Sequence, residues 1–371
     1  MTVVAAATAC TEPVAAPPAK ITSAAPAIHD LNPARPVIVD VADGTFTTVT
    51  LTNKASGKQV KGRLDSTGHH WRTTEDLGYG AAYTVDATAL NADRKPTHRI
   101  LEVTTLAPTK TAYANVVPSP DLVDQVGVGV GQPVSVQFTE PVKNKAEVIK
   151  HLSVTTTPAQ QGAWYWIDDQ NVHYRGPDYW QPGTEIHLSA DVYGVDLGDG
   201  VYGAENNDVD YSVHDSWVAK ADGAAKTLTI FHNGRQVNQM PMSLGEADTP
   251  SHVGAHVISE KAQSVKMDSC SYGVCQGQPG YYSETVLWAE RLSNDGEYVH
   301  AAPWSVGQQG AANVSHGCVN LSTENAQWFF EHFGLGDVVE ITNSGGDPLP
   351  LDDTYGDWAV PWSTWKGGNS N

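Results

Sequence analysis

Two short runs decide how this chain is read: His300-Ala301-Ala302-Pro303-Trp304, and then Ser315-His316-Gly317-Cys318-Val319-Asn320. Acyl transfer from an amide needs a nucleophile, a base and donors for the oxyanion. A cysteine at neutral pH is mostly thiol unless a basic or cationic neighbour activates it. An imidazole does this, and later returns the proton to the leaving amine. His300 ends the strand-like run Gly296-Glu297-Tyr298-Val299, and the loop after it can bring Cys318 back to face the ring. A backbone carbonyl near Ala301 would accept from the second ring nitrogen and fix the tautomer. Gly317 lets backbone N–H groups approach a developing oxyanion. A lone histidine at a strand end is more often structural, and a lone cysteine more often a small buried hydrophobe. The joint pattern carries the reading.

Outward from this centre, Cys270 and Cys275 flank Ser271-Tyr272-Gly273-Val274. A local disulfide there is expected outside the cytoplasm, with two free thiols or a weak metal pair as alternatives. Cys318 is then left unpartnered, as a reactive thiol must be. Thr227-Leu228-Thr229-Ile230-Phe231, Asn233-Gly234 and Gln236-Val237 predict a hairpin with a type I′ turn. Residues 323–333 have helical spacing, with Ser322 or Thr323 as cap and Gly334 as stop.

Upstream, helical periods are few. Thr47-Thr48-Val49-Thr50-Leu51 and Ala82-Tyr83-Thr84-Val85 read as strands in one block, Val134-Ser135-Val136-Gln137-Phe138 and Ile186-His187-Leu188-Ser189 in a second. Each block couples a Gly-rich turn to a strand, and two copies of one immunoglobulin-like β-sandwich are expected. The predicted organisation is mainly β: a disordered tether over 1–35, sandwiches over 36–112 and 113–216, a further domain over 217–345, and a Trp-rich extension over 346–371 packed on that domain. The formal charge of −20 excludes a nucleic-acid backbone as partner. No apolar stretch is long enough to span a bilayer. Residues 1–10 read MTVVAAATAC, and Ala7-Thr8-Ala9-Cys10 loosely matches a lipobox, with Cys10 as the lipidation candidate; an incidental cysteine in a disordered tail is the alternative. His69, His70, His252 and His256 fit no zinc spacing, and neither metal nor cofactor is expected.

His300 with Ser315-His316-Gly317-Cys318-Val319-Asn320 resembles the signature of L,D-transpeptidase (YkuD-type) catalytic domains. The likeness extends to Met267-Asp268-Ser269, Tyr272-Gly273, Pro303-Trp304-Ser305-Val306-Gly307 and Asn325-Ala326-Gln327-Trp328-Phe329. The arrangement resembles mycobacterial and corynebacterial members, specifically over 217–365 and architecturally before that. The resemblance implies a mixed-sheet catalytic fold with the nucleophile in a groove under a flap. It implies that Cys318 attacks the bond before the terminal D-Ala of a tetrapeptide stem, and that a neighbouring stem's amine resolves the acyl-enzyme into a 3→3 cross-link. His300 would be the base, oriented by the Ala301 carbonyl where many relatives have Ser. Gly317 and Cys318 would supply oxyanion N–H groups, and His316 would buttress the loop. Tyr272, Tyr281 and Met267 match flap positions, Asn320 would shape the donor pocket, and Trp304 is a further substrate-binding candidate or plain packing. Carbapenem β-lactams are expected as covalent inhibitors and peptidoglycan stem peptides as partners, with the chain in the cell envelope on an N-terminal anchor. Cys270 and Cys275 fall inside the flap, a departure from the best-known relatives. Rival readings are a hydrolase using water, a non-catalytic wall-binding module, and attachment of a protein lysine to peptidoglycan.

Overall fold

The structure is a computed structural model describing residues 15–23, 28–123, 125–278 and 281–369. Cys10 lies outside the described residues, as do the side chains of Ile28, Ser271 and Tyr272. The chain divides into two compact units, Met1–Lys110 and Thr111–Asn371.

In the first unit, strand Ala82–Leu90 shows why it is a sandwich. Tyr83, Val85, Ala87 and Ala89 are buried while their neighbours are not, the period-2 signature of a half-buried strand. That face belongs to a five-stranded sheet and shares one core with Val39, Val41 and Trp71 of a four-stranded sheet. Two stretches inside the expected 1–35 tether are strands. Lys20–Ser23 pairs antiparallel with Ile38–Ala42, burying Ile21, and Ile28–Leu31 pairs parallel with Pro96–Thr105. Both are four-residue edge strands set among Ala and Pro, too short for a period to be read.

The second unit begins with another sandwich. A four-stranded sheet runs in the order Ala114–Val117, Val134–Phe138, Asn171–Arg175, Ala163–Trp166, and faces a three-stranded sheet built on Glu185–Ala190. Phe138, Trp166 and Leu188 fill the space between. This module is joined to the next through backbone: the Gly129 and Gly131 N–H groups donate to the Leu335 and Gly336 carbonyls at 2.8 and 2.9 Å. A Cβ at Gly129 would lie 2.1 Å from the Asp337 nitrogen, so only glycine permits this approach.

Two sheets then flank one core. The five-stranded sheet contains the expected hairpin, Thr227–His232 and Arg235–Pro241, with Asn233 and Gly234 at φ +48° and +76° as a type I′ turn requires. The four-stranded sheet runs Glu260–Asp268, Ser283–Arg291, Tyr298–Ala301, Val319–Leu321, its last pair parallel. Helix Thr323–His332 buries Ala326 and Phe329 against Val299, Val319 and Leu321. Ser322 is its cap, its hydroxyl accepting the Asn325 N–H at 3.2 Å.

The C-terminal extension touches both neighbours. Val253 exchanges backbone bonds with Asp347 and Leu349, and Asp353 accepts the Asn294 N–H, on the catalytic side; the extension's tryptophans lie on the second sandwich. The Trp365 indole donates to the Ala163 carbonyl, Trp358 to that of Gly131, and Asn369 bonds the Trp166 backbone in both directions. The buried Arg175 guanidinium sits 4.3 Å over the Trp365 ring and 4.7 Å over Trp358. Three indoles need flat cationic and amide partners, and strands 163–166 and 171–175 present them.

Candidate active site

The parallel pairing of Tyr298–Ala301 with Val319–Leu321 places Val299 opposite Val319 and His300 opposite Asn320. Side chains alternate across a sheet, so Val299, Ala301, Val319 and Leu321 share the face that packs on the helix. His300 and Asn320 fall on the other face, and so does Cys318, two residues before Asn320. These three line one cavity of about 260 Å³ with Met267, Tyr282 and Trp304.

His300 Nδ1–H donates to the Ala301 carbonyl at 2.9 Å, which leaves Nε2 as the ring's proton acceptor. Burial lowers the His300 pKa, although the bond to Ala301 works the other way. Burial pushes the Cys318 thiol up to about 12; the Tyr298 backbone bond lowers it, and the charges of Glu297 and Asp295 raise it further. The resting pair is therefore a neutral thiol and a neutral imidazole. The thiol donates to the Gly296 carbonyl at 3.6 Å.

Hydrogen bonds fix the Cys318 loop from both sides. Ser315 Oγ donates to the Cys318 carbonyl at 2.6 Å and accepts the Gly317 N–H at 3.2 Å. Ser251 Oγ donates to the Gly317 carbonyl at 2.6 Å. Gly317 has φ +120°, a conformation that excludes side chains with a Cβ. Asn320 Nδ2 donates to Ser305 Oγ at 3.3 Å, while its Oδ1 is buried with no hydrogen-bond partner. That orphan acceptor is suited to a substrate N–H. Across the cavity, the Tyr282 ring stacks on His316 with centroids 5.2 Å apart.

Residues 216–341 match the L,D-transpeptidase catalytic domain family, and residues 28–196 match the bacterial Ig domain family. The chain is 41% identical over 335 residues to L,D-transpeptidase 2 of Mycobacterium tuberculosis, spanning 90% of this chain and 81% of that protein. The chain belongs to the L,D-transpeptidase family. It is also 37% identical over 343 residues to L,D-transpeptidase 5 of M. tuberculosis, covering 91% of this chain and 73% of the relative. An LD transpeptidase solved in complex with imipenem aligns with TM-score 0.54 at 32% identity, over 63% of this chain and all of that one.

Set against this family's cysteine-dependent chemistry, the expected residues fall into three groups. Cys318, His300, His316, Asn320, Met267 and Trp304 converge on the cavity. Tyr281 does not line it; Tyr282 does, because the register of strand Ser283–Arg291 turns the even-numbered residues inward. Tyr272 ends the turn Ser269–Tyr272, and its side chain lies outside the described residues. The Gly317 N–H, expected to face an oxyanion, is occupied by Ser315 Oγ in the resting loop. Cys270 and Cys275 are disulfide-bonded, which closes the turn between the two flap strands. Glu284 and Val286 were not anticipated, although the alternation 282, 284, 286 along one strand was there to be read. Glu284 is the only carboxylic side chain among the described residues lining this cavity.

Proposed function

We propose that this chain is a peptidoglycan L,D-transpeptidase working through a Cys318 acyl-enzyme and forming 3→3 cross-links. The observation that carries this is the placement of Cys318 and His300 on one face of paired parallel strands, inside one cavity, with Nε2 left as acceptor. The sulfur attacks the carbonyl of the third stem residue while its proton passes to His300 Nε2. The tetrahedral intermediate collapses, D-Ala leaves with that proton, and a thioester remains. The side-chain amine of a second stem then attacks, gives a proton to His300, and expels the sulfur, which regains the proton. Asn320 Oδ1 accepts a donor-stem N–H. Among the loop donors, the Gly317 N–H serves the oxyanion only by exchanging Ser315 Oγ for it.

Carbapenem-type β-lactams would acylate the same sulfur. The reading places the chain outside the cytoplasm in the cell envelope, where the Cys270–Cys275 disulfide is stable and cross-links resist turgor and hold cell shape. Anchoring through a lipid on Cys10 belongs to the same proposal. So does the division into sandwiches that act as spacers, a catalytic domain over 217–345 and a C-terminal subdomain.

Product mass analysis with a disaccharide-tetrapeptide is the test. The native chain should yield a cross-linked dimer lacking one D-Ala, and Cys318→Ala none. Tripeptide without dimer would make the chain a hydrolase, and product from Cys318→Ala would end the proposal.

A further inference from the structure

Behind the nucleophile loop, on the side away from the cavity, lies a buried acid that the reaction above does not use. Glu297 is 5% exposed. Its Oε1 accepts the His252 N–H at 2.8 Å, and its Oε2 lies 3.3 Å from Nε2 of the fully buried His256, outside hydrogen-bond geometry. The same carboxyl abuts Gly317: a Cβ there would stand 3.5 Å from Glu297 Cγ and Oε1. The adjoining residues of this turn, Gly296 and Tyr298, supply the carbonyl and the backbone bond that contact the Cys318 sulfur. A carboxylate therefore stands beneath the residue next to the nucleophile, joined to it by a turn of one residue on each side.

We infer that Glu297, held by the His252 N–H, is a positioning residue that seats the Cys318 loop from behind and so guards the resting sulfur. Its carboxyl is also among the negative groups that oppose a thiolate on Cys318. The inference rests on Cys318 being the nucleophile. Thiolates, not thiols, are alkylated and oxidised. A sulfur kept neutral until a carbonyl and the His300 acceptor are both present survives in a disulfide-forming compartment. Other charged groups border the turn that carries Glu297. Asp295 shares its turn and holds His252 Nε2 at 2.9 Å. Asp353 reaches the Asn294 N–H from the C-terminal segment, and Arg291 donates to the Ser293 and Asn294 carbonyls. His300 faces the sulfur's cavity side.

The test is the pH profile of Cys318 alkylation by iodoacetamide, followed by peptide mass so that Cys318 is scored alone. The full chain is compared with Glu297→Gln, which keeps an acceptor for the His252 N–H but loses the charge. At about pH 8 to 9, well below the native midpoint, alkylation should be at least about threefold faster in Glu297→Gln. Glu297→Asp keeps the acid and should retain the native rate, even if Glu297→Gln folds poorly. An unchanged rate in Glu297→Gln, or an equally raised one in Glu297→Asp, overturns the inference. Iodoacetamide needs no peptidoglycan, so this result and the product analysis fail independently.

Discussion

At the scale of single residues, the catalytic domain holds a second buried acid with a different consequence. Glu290 is fully buried, and neither carboxyl oxygen has a hydrogen-bond partner. Lys261 lies 3.4 Å away, but it also donates to the Phe330 and Phe333 carbonyls at the end of the helix. Burial pushes Glu290 from 4.5 up to about 8, with Lys261 pulling only weakly downward. Below 4.5 the acid is protonated in both folded and unfolded chains, and nothing is lost. As pH rises from 4.5 to about 8 the unfolded chain releases its proton and the folded chain does not, so stability falls across that window and levels off above it. Glu290→Gln should remove this slope and gain roughly 2–4 kcal/mol on the native chain between pH 5 and pH 8.5 in urea melts. Parallel stability curves for the two proteins would contradict this. Asp337, also pushed up by burial, adds slope to both.

At the scale of elements, the flap is the segment whose behaviour chemistry can switch. Strands Glu260–Asp268 and Ser283–Arg291 pair from Glu260↔Arg291 to Asp268↔Ser283, and the disulfide closes the turn beyond that register. Met267 on one strand and Tyr282 just before the other reach the cavity. The loop that the bond closes is short, so by chain entropy it contributes only about 2 kcal/mol while restricting the flap's open ensemble. Selective reduction should change the rate of Cys318 acylation by a carbapenem at least twofold and shift the thermal midpoint by no more than about 4–8 °C. Equal acylation rates before and after reduction would rule the flap disulfide out as a control on access.

At the scale of the whole molecule, the second sandwich and the catalytic part are one compact unit, while Met1–Lys110 forms another. A spacer deletion that leaves the chemistry intact should therefore stop near Lys110 and not extend through the second sandwich. The C-terminal segment adds to this unit. His173 Nδ1 lies 2.9 Å from the buried Asp357 carboxylate, and Arg175 donates to the Asp357 carbonyl at 3.0 Å. Arg175→Ala removes the cation over the indoles and the N–H donors to the Asp357 and Val360 carbonyls, at an expected cost of about 2–4 kcal/mol. Arg175→Lys should recover little of it, because an ammonium cannot present a flat fork to rings and carbonyl together. A loss under about 0.5 kcal/mol in Arg175→Ala would show that the segment is held elsewhere.

The cysteine and histidine that meet in the cavity, the helix with its cap and the type I′ hairpin were all legible in the chain itself. Each is written in residue types whose chemistry or backbone preference is local: Cys318 with His300, Ser322, Asn233-Gly234. Tertiary structure alone decided the rest. Whether Tyr281 or Tyr282 faces the cavity depends on strand register, and a slip of one residue reverses the face. The carboxylate of Glu297 behind Gly317, the orphan Asn320 Oδ1 and the Arg175 seat for three tryptophans join residues far apart along the chain. Such contacts depend on how sheets pack, and no local spacing records them.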